Sequence, residues 1–270
     1  MRIYGVDFTC APRKAKPITV ATGFLAGSIL EIGKVQRLES FTAFEDFLAR
    51  PGPWIGGFDF PFSLPRELVR DLGWPQDWQA LVAHCAGMTR VELRAALNAY
   101  RNSRQPGKRY AHRVTDHPAG SSSPMKLVNP PVALMFHEGA RRLAACDVHM
   151  PALRDGTPSK IALEAYPGLL VRKHLGIRAS YKSDTRREQT AARALVRKRI
   201  LRALRVGQPL AIGLELPRRL EKEIVADGSG DLLDAVICAA QAAWGWMRRD
   251  ANFGLRADAP AGEGWIVTAG

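Results

Sequence analysis

The stretch Met1–Ala11, MRIYGVDFTCA, decides how the rest of the chain is read. Ile3, Tyr4, Val6 and Phe8 predict a strand rich in β-branched and aromatic residues. Asp7 stands near its end, ahead of Cys10 and Pro12, which stop the pairing. A carboxylate in an apolar strand has to be hydrogen-bonded, paired with a cation or bound to a metal, because burying it alone is costly. Asp7 either accepts N–H bonds from the following turn at the strand's wet end or belongs to a site. The positions of the other isolated acids bear on that choice.

Working outward, Pro17–Leu25 and Ser28–Leu38 predict two more strands joined by a tight connection at Ala26-Gly27, giving an antiparallel meander. Phe44, Phe47 and Leu48 fall at helical spacing in Phe41–Arg50, which Pro51, Gly52 and Pro53 end. Trp54–Phe62, WIGGFDFPF, is an apolar strand interrupted by Asp59. This order implies an α/β sheet covered by helices, with a parallel crossover. Pro65 to about Ser103 is helical in pattern, whereas Gln105–Pro131 is polar, basic and aperiodic, a functional loop or a segment that orders on a partner. Helices are predicted near Val132–Ala145, over Asp184–Arg205 and from Asp231. Strands are predicted at Ser159–Ala165 and in the closing GEGWIVTAG.

With 270 residues and 46% hydrophobic content the chain can bury a large core. We read it as one domain over 1–270 with a helical and loop insertion at about 65–150. A net charge of +13 predicts a phosphate-rich or otherwise anionic partner. Ala235–Met247 is too short to span a bilayer and contains Gln241, and no apolar leader precedes the first strand. Cys10, Cys85, Cys146 and Cys238 are scattered without a CxxC pair, so we expect reduced thiols in a cytoplasmic protein rather than a disulfide frame or zinc site.

Asp7, Asp59 and Glu164 each end an apolar run shortly before a proline, and strand ends on one sheet edge are where sites assemble in open α/β folds. Asp231 and Asp234, three apart, project from one side of a helix's first turns. They could equally be a helix cap and a first-turn acid favoured by the helix dipole. Glu164 could pair with the basic segment that follows, and Glu263 reads as an ordinary surface acid. Gathered carboxylates need cations, and Mg²⁺ prefers oxygen ligands. In Asp184–Arg205, Ala192, Leu195, Val196, Ile200, Ala203 and Leu204 form an apolar stripe. Arg187, Lys198, Arg202 and Arg205 form a cationic face.

The segments GVDFTCAP, IGGFDFPFSLP, MKLVNPPVALMFHEG, EAYPGLL, YKSD and DLLDAVICAAQAAW resemble the domain of unknown function 429 family, predicted nucleases of the ribonuclease H-like fold. The resemblance runs from Ile3 to about Trp265. It implies a ribonuclease H-like mixed sheet flanked by helices, with a helical insertion. By likeness to Holliday-junction resolvases, Asp7, Asp59, Asp231 and Asp234 fall on metal-binding positions, while Glu164 has no clean counterpart. The expected activity is Mg²⁺- or Mn²⁺-dependent phosphodiester hydrolysis at a two-ion site, with Asp7, Asp59, Glu164, Asp231 and Asp234 as catalytic residues. Phosphate contacts are expected from Lys108, Arg109, Arg113, Arg187, Lys198, Arg202 and Arg205. Two alternatives use the same residues: a non-catalytic nucleic-acid-binding protein of this fold, and an ATP-dependent phosphotransferase.

Overall fold

A computed structural model describes residues 1–270. The strands are β1 (Arg2–Asp7), β2 (Ile18–Ala26), β3 (Ile29–Leu38), β4 (Trp54–Asp59), β5 (Val148–His149), β6 (Thr157–Glu164) and β7 (Gly213–Glu215). They form one mixed sheet in the order β5-β6-β4-β1-β2-β3-β7. β1, β2 and β3 are the antiparallel meander, while β4 pairs parallel to β1 and β6 parallel to β4. That central arrangement, a meander continued by two parallel strands, is a ribonuclease H-like α/β fold.

Helix α1 (Phe41–Leu48) crosses from β3 to β4. α2 (Arg66–Asp71), α3 (Trp78–Ala86), α4 (Arg90–Ser103), α5 (Asp116–Ala119) and α6 (Val132–Ala145) all lie between β4 and β5. α7 (Pro167–Leu169) continues into a π-helical turn, Leu170–His174. α8 (Ala191–Arg205), α9 (Arg218–Ala226) and α10 (Asp231–Met247) complete the chain's helices. No helix is long and apolar enough to cross a membrane.

Period-2 alternation in β1 builds two cores. Tyr4, Val6 and Phe8 face α1 and the inserted helices, in a core with Phe44, Phe58 and Phe136. Ile3 faces the other way, in a core with α8 and α10. Gly5 and Gly57 are register partners on that second face. A Cβ on Gly5 would stand 2.0 Å from the Ala235 carbonyl oxygen, and one on Gly57 2.3 Å from that of Cys238. The backbone of α10 therefore lies directly on β1 and β4, and its alanine-rich face is what permits the approach.

Two expected elements differ. GEGWIVTAG is not a strand: positive φ at Gly262, Gly264 and Thr268 interrupts extension, and only Ile266 bridges to Glu164. The apolar stripe of α8 is also misplaced. Leu195 is 64% exposed and Ala192 is exposed, while Arg197 is buried with Ile200, Leu201 and Leu204. Much of Gln105–Pro131 folds against the sheet edge, with Ala111, Arg113, Thr115, Asp116 and Met125 buried.

Because backbone atoms rather than flexible side chains meet the added Cβ, Gly57→Ala should destabilise the protein by about 1–3 kcal/mol, the usual cost of overpacking. Urea denaturation measures this, and an unchanged midpoint would contradict the close approach of α10.

Candidate metal centre

The parallel register pairs Asp7 with Asp59, so both half-buried carboxylates leave the same face at the same sheet edge. Each lies two residues beyond the glycine that admits α10. That helix begins at the same edge and brings the fully buried Asp234 beside them. One carboxylate oxygen from each of Asp7, Asp59 and Asp234 lies within 4.8 Å of the others.

Capping of α10 falls to Asp227, which accepts from Leu232 N–H at 2.9 Å and from the Ser229 hydroxyl at 2.6 Å, while Gly230 turns the chain at φ 81°. Asp231 and Asp234 are thereby left for other partners. The Tyr181 hydroxyl donates to Asp234 Oδ1 at 2.5 Å, and Lys182 Nζ donates to Oδ2. Asp231 is held by Lys16 at 3.1 Å, which also bonds Asp184 at 2.9 Å. Asp231 therefore lines the same cleft but stands outside the three-acid group.

Burial, joined by the charges of Asp231 and Asp234, pushes the Asp7 carboxyl well above the carboxylate range, with Lys182 opposing. Burial also raises Asp59, to about 7, against the pull of Lys182. Burial alone would lower the Lys182 ammonium, but Asp234 and the acids beyond it outweigh burial and raise it. An all-oxygen donor set of this kind suits a hard divalent cation, and the three acids could hold one.

Glu164 ends β6 at the same sheet edge, but its register partner is Phe58, not Asp59. One residue of offset turns its side chain to the opposite face. There it meets Arg113 through both carboxylate oxygens, at 2.6 and 2.7 Å, and accepts from Phe62 N–H at 2.9 Å. Arg113 also bonds Asp116 at 3.0 Å. Burial pushes Glu164 up, and Arg113 pulls it part of the way back. Glu263 is no surface acid. It is buried and accepts the N–H groups of Arg66 (2.7 Å) and Val114 (3.0 Å), fixing the insertion to the closing segment.

Of the expected phosphate contacts, Arg113 is corrected: it is 1% exposed and fully engaged by carboxylates. Lys108, Arg109, Arg187, Lys198 and Arg202 are exposed, while Arg205 pairs with Glu221 at 2.8 Å. The carbonyl of Arg205 neighbours Gly213 at the start of β7, which runs in the direction of β1. The end of α8 therefore lies at the sheet edge away from Asp7, and Arg187, before α8 begins, is nearer the acids.

The repeated G-x-D of Gly5-Val6-Asp7 and Gly57-Phe58-Asp59 is a signal in the sequence that marks where α10 approaches. Lys16, Tyr181 and Lys182 carry no such signal. Nothing in a lone lysine's sequence setting marks it as a carboxylate partner across the fold. The chain matches no protein-family model, no curated protein and no solved structure.

Removing Arg113 as Arg113→Ala leaves Glu164 and Asp116 buried without their cation and should cost about 3–5 kcal/mol of stability. Equilibrium unfolding in urea tests it. A stable variant with weakened binding of an anionic partner would restore Arg113 as a phosphate contact.

The raised carboxyl of Asp59 fixes a pH dependence. Its proton is held in the folded state up to about pH 7 and in the unfolded chain only to its ordinary 3.8. Between those values the folded state binds more protons, so this contribution to stability is full below 3.8 and lost as pH rises through 7. With chelator present, unfolding free energy measured from pH 4 to 8 should fall less steeply for Asp59→Asn than for the unaltered protein. Equal slopes would show that Asp59 is not held protonated.

Proposed function

We propose that this protein is a metal-dependent nuclease, hydrolysing phosphodiester bonds of nucleic acid, and kin to the domain of unknown function 429 family. The observation that carries the reading is the convergence of Asp7, Asp59 and Asp234 on one sheet edge within a chain of net charge +13. Acids that repel one another cost stability, and a basic chain that gathers three of them, two lining a cleft and the third buried beside them, has the makings of a cation site facing an anionic substrate.

Asp7, Asp59 and Asp234 would hold Mg²⁺ or Mn²⁺, which supplies Lewis-acid polarisation of a phosphoryl oxygen and an acidified water. Tyr181 fixes the orientation of Asp234 through its hydroxyl. Lys182, with a side chain 44% exposed at the acids, is placed to balance either the carboxylates or an entering phosphate. Asp231, the donor a second ion would call on, is neutralised by Lys16. Glu164 acts through the fold: with Arg113 it ties β6 to the insertion and so borders the cleft without offering a free carboxylate. Arg187, Lys108 and Arg109 would draw nucleic acid in without reading its sequence, while Lys198 and Arg202, toward the far end of α8, would add only to the long-range field.

The ion pairs Lys182–Asp234 and Lys16–Asp231 favour a second reading, a nucleic-acid-binding protein of this fold without catalysis. Turnover separates the two. With Mg²⁺ or Mn²⁺ and labelled single-stranded, duplex, hybrid and junction substrates, the unaltered protein should cleave. Asp7→Asn should lose more than the roughly 100-fold typical of supporting residues around a metal. Binding by that variant should be intact or slightly tighter, because one repulsive charge is gone. Undiminished cleavage by Asp7→Asn would take the chemistry away from these acids, and no cleavage of any substrate by the unaltered protein would end the nuclease reading.

A further inference from the structure

Asp7, Asp59 and Asp231 line a cleft of about 980 Å³, with Asp234 buried behind them, and its two walls rise from opposite faces of the sheet. On one side stand Lys126 and Asn129–Val132, leading into α6, whose buried side chains join the core under α1. On the other stand Ala179–Thr185, anchored by Tyr181 in the core under α10. The volume of the cleft is in the size range of a ligand pocket.

Its cations divide into two groups. Lys16, Arg113 and Lys182 are each paired with carboxylates. Lys126, Arg172 and Arg178 line the cleft and pair with none. Arg172 is carried by the π-helical turn, a local widening often found at functional sites. Its guanidinium donates to the Tyr166 hydroxyl and stands at that end of the ring, 5.5 Å from the centroid. Tyr166 itself lines the cleft directly after Glu164-Ala165. An aromatic ring paired with a guanidinium plane is a surface on which an unpaired base stacks, and a base inside a duplex is not free to do so.

We propose that the cleft takes a single strand of nucleic acid, with Lys126 and Arg178 on its phosphates and the Tyr166–Arg172 pair stacking a base beside the acids. This deepens the nuclease reading and takes from it only that the partner is nucleic acid.

Fluorescence anisotropy with the full chain in chelator tests it, using one labelled sequence as single-stranded DNA, single-stranded RNA and blunt duplex. The single strands should bind at least about tenfold tighter than the duplex. Lys126→Ala/Arg178→Ala removes two side chains that carry no hydrogen bond in the fold. It should weaken single-strand binding and flatten the slope of log affinity against log salt by about 1.4, roughly 0.7 for each phosphate contact. Tyr166→Leu should weaken single strands about 5- to 150-fold, the range of base–aromatic stacking, with Tyr166→Phe close to the unaltered protein and duplex binding unmoved. Duplex bound as tightly as single strand, or single-strand binding indifferent to these variants, would overturn the proposal. The nuclease reading fails separately, if a strand held in this way is never cut in Mg²⁺ or Mn²⁺. Cleavage of duplex alone would leave that reading standing and remove this one.

Discussion

The contact on which everything else here depends is backbone on backbone: α10 laid against β1 and β4 at Gly5 and Gly57. Side chains normally hold a helix well off a sheet, and here a single methyl group would not fit. Ala235 and Ala239 meet Gly5, and Cys238 meets Gly57, so the helix's small residues match the sheet's missing ones. The consequence is geometric. The next residues on that face of the strands are Asp7 and Asp59, and the residue preceding Ala235 is Asp234. Three acids far apart in sequence become neighbours because two glycines let their carriers touch.

That closeness has an electrostatic cost, and its size explains what surrounds it. At 4.8 Å two unit charges interact by roughly 3–4 kcal/mol at an effective dielectric of about 20. Three ionised acids make three such pairs, more than Lys182 alone offsets. Burial is the larger effect and repulsion from Asp234 adds to it, which is why the Asp59 carboxyl is pushed up to about 7. The Arg113–Glu164–Asp116 group is a useful contrast. It is buried too, yet its guanidinium donates to both carboxylates in a tight fork, so each acid has a direct cationic partner and the group carries one net negative charge rather than two. One residue of strand register separates the two settings. On one face a carboxylate is used up by structure; on the other, carboxylates are left under-compensated at a cleft.

The legibility of the chain follows the range of the forces involved. Apolar, β-branched and aromatic runs gave away β1–β4, and helical spacing gave away α1 and α10, because those patterns are local. The α/β class with a mixed sheet was readable from the same signals. β5 and β7 were not, being two and three residues long and held by their neighbours. Of the site, Asp7 and Asp59 were legible as lone acids in apolar runs, and Asp234 as half of a helical pair with Asp231. Glu164 looked identical to Asp7 and Asp59, and only register, which depends on how β6 pairs with β4, tells it apart. Arg113 in a basic, proline-rich stretch read as a phosphate contact, since its carboxylate partner Glu164 is 51 residues away in sequence.

The misread face of α8 carries the last step. Arg197 is buried among apolar neighbours, where an unpaired guanidinium would be costly, and it is satisfied by backbone carbonyls alone. It donates to the Tyr181 carbonyl at 2.5 Å and to that of Val225, ending α9, at 2.8 Å. The segment it grips is the one that brings Tyr181 and Lys182 to Asp234. Gln189, just before α8, reaches back to the Ser183 carbonyl at 2.9 Å. The basic helix is therefore a brace for one wall of the cleft as well as a charged surface. A cation at helical spacing can serve structure with one face of the helix while its neighbours Lys198 and Arg202 remain in solvent.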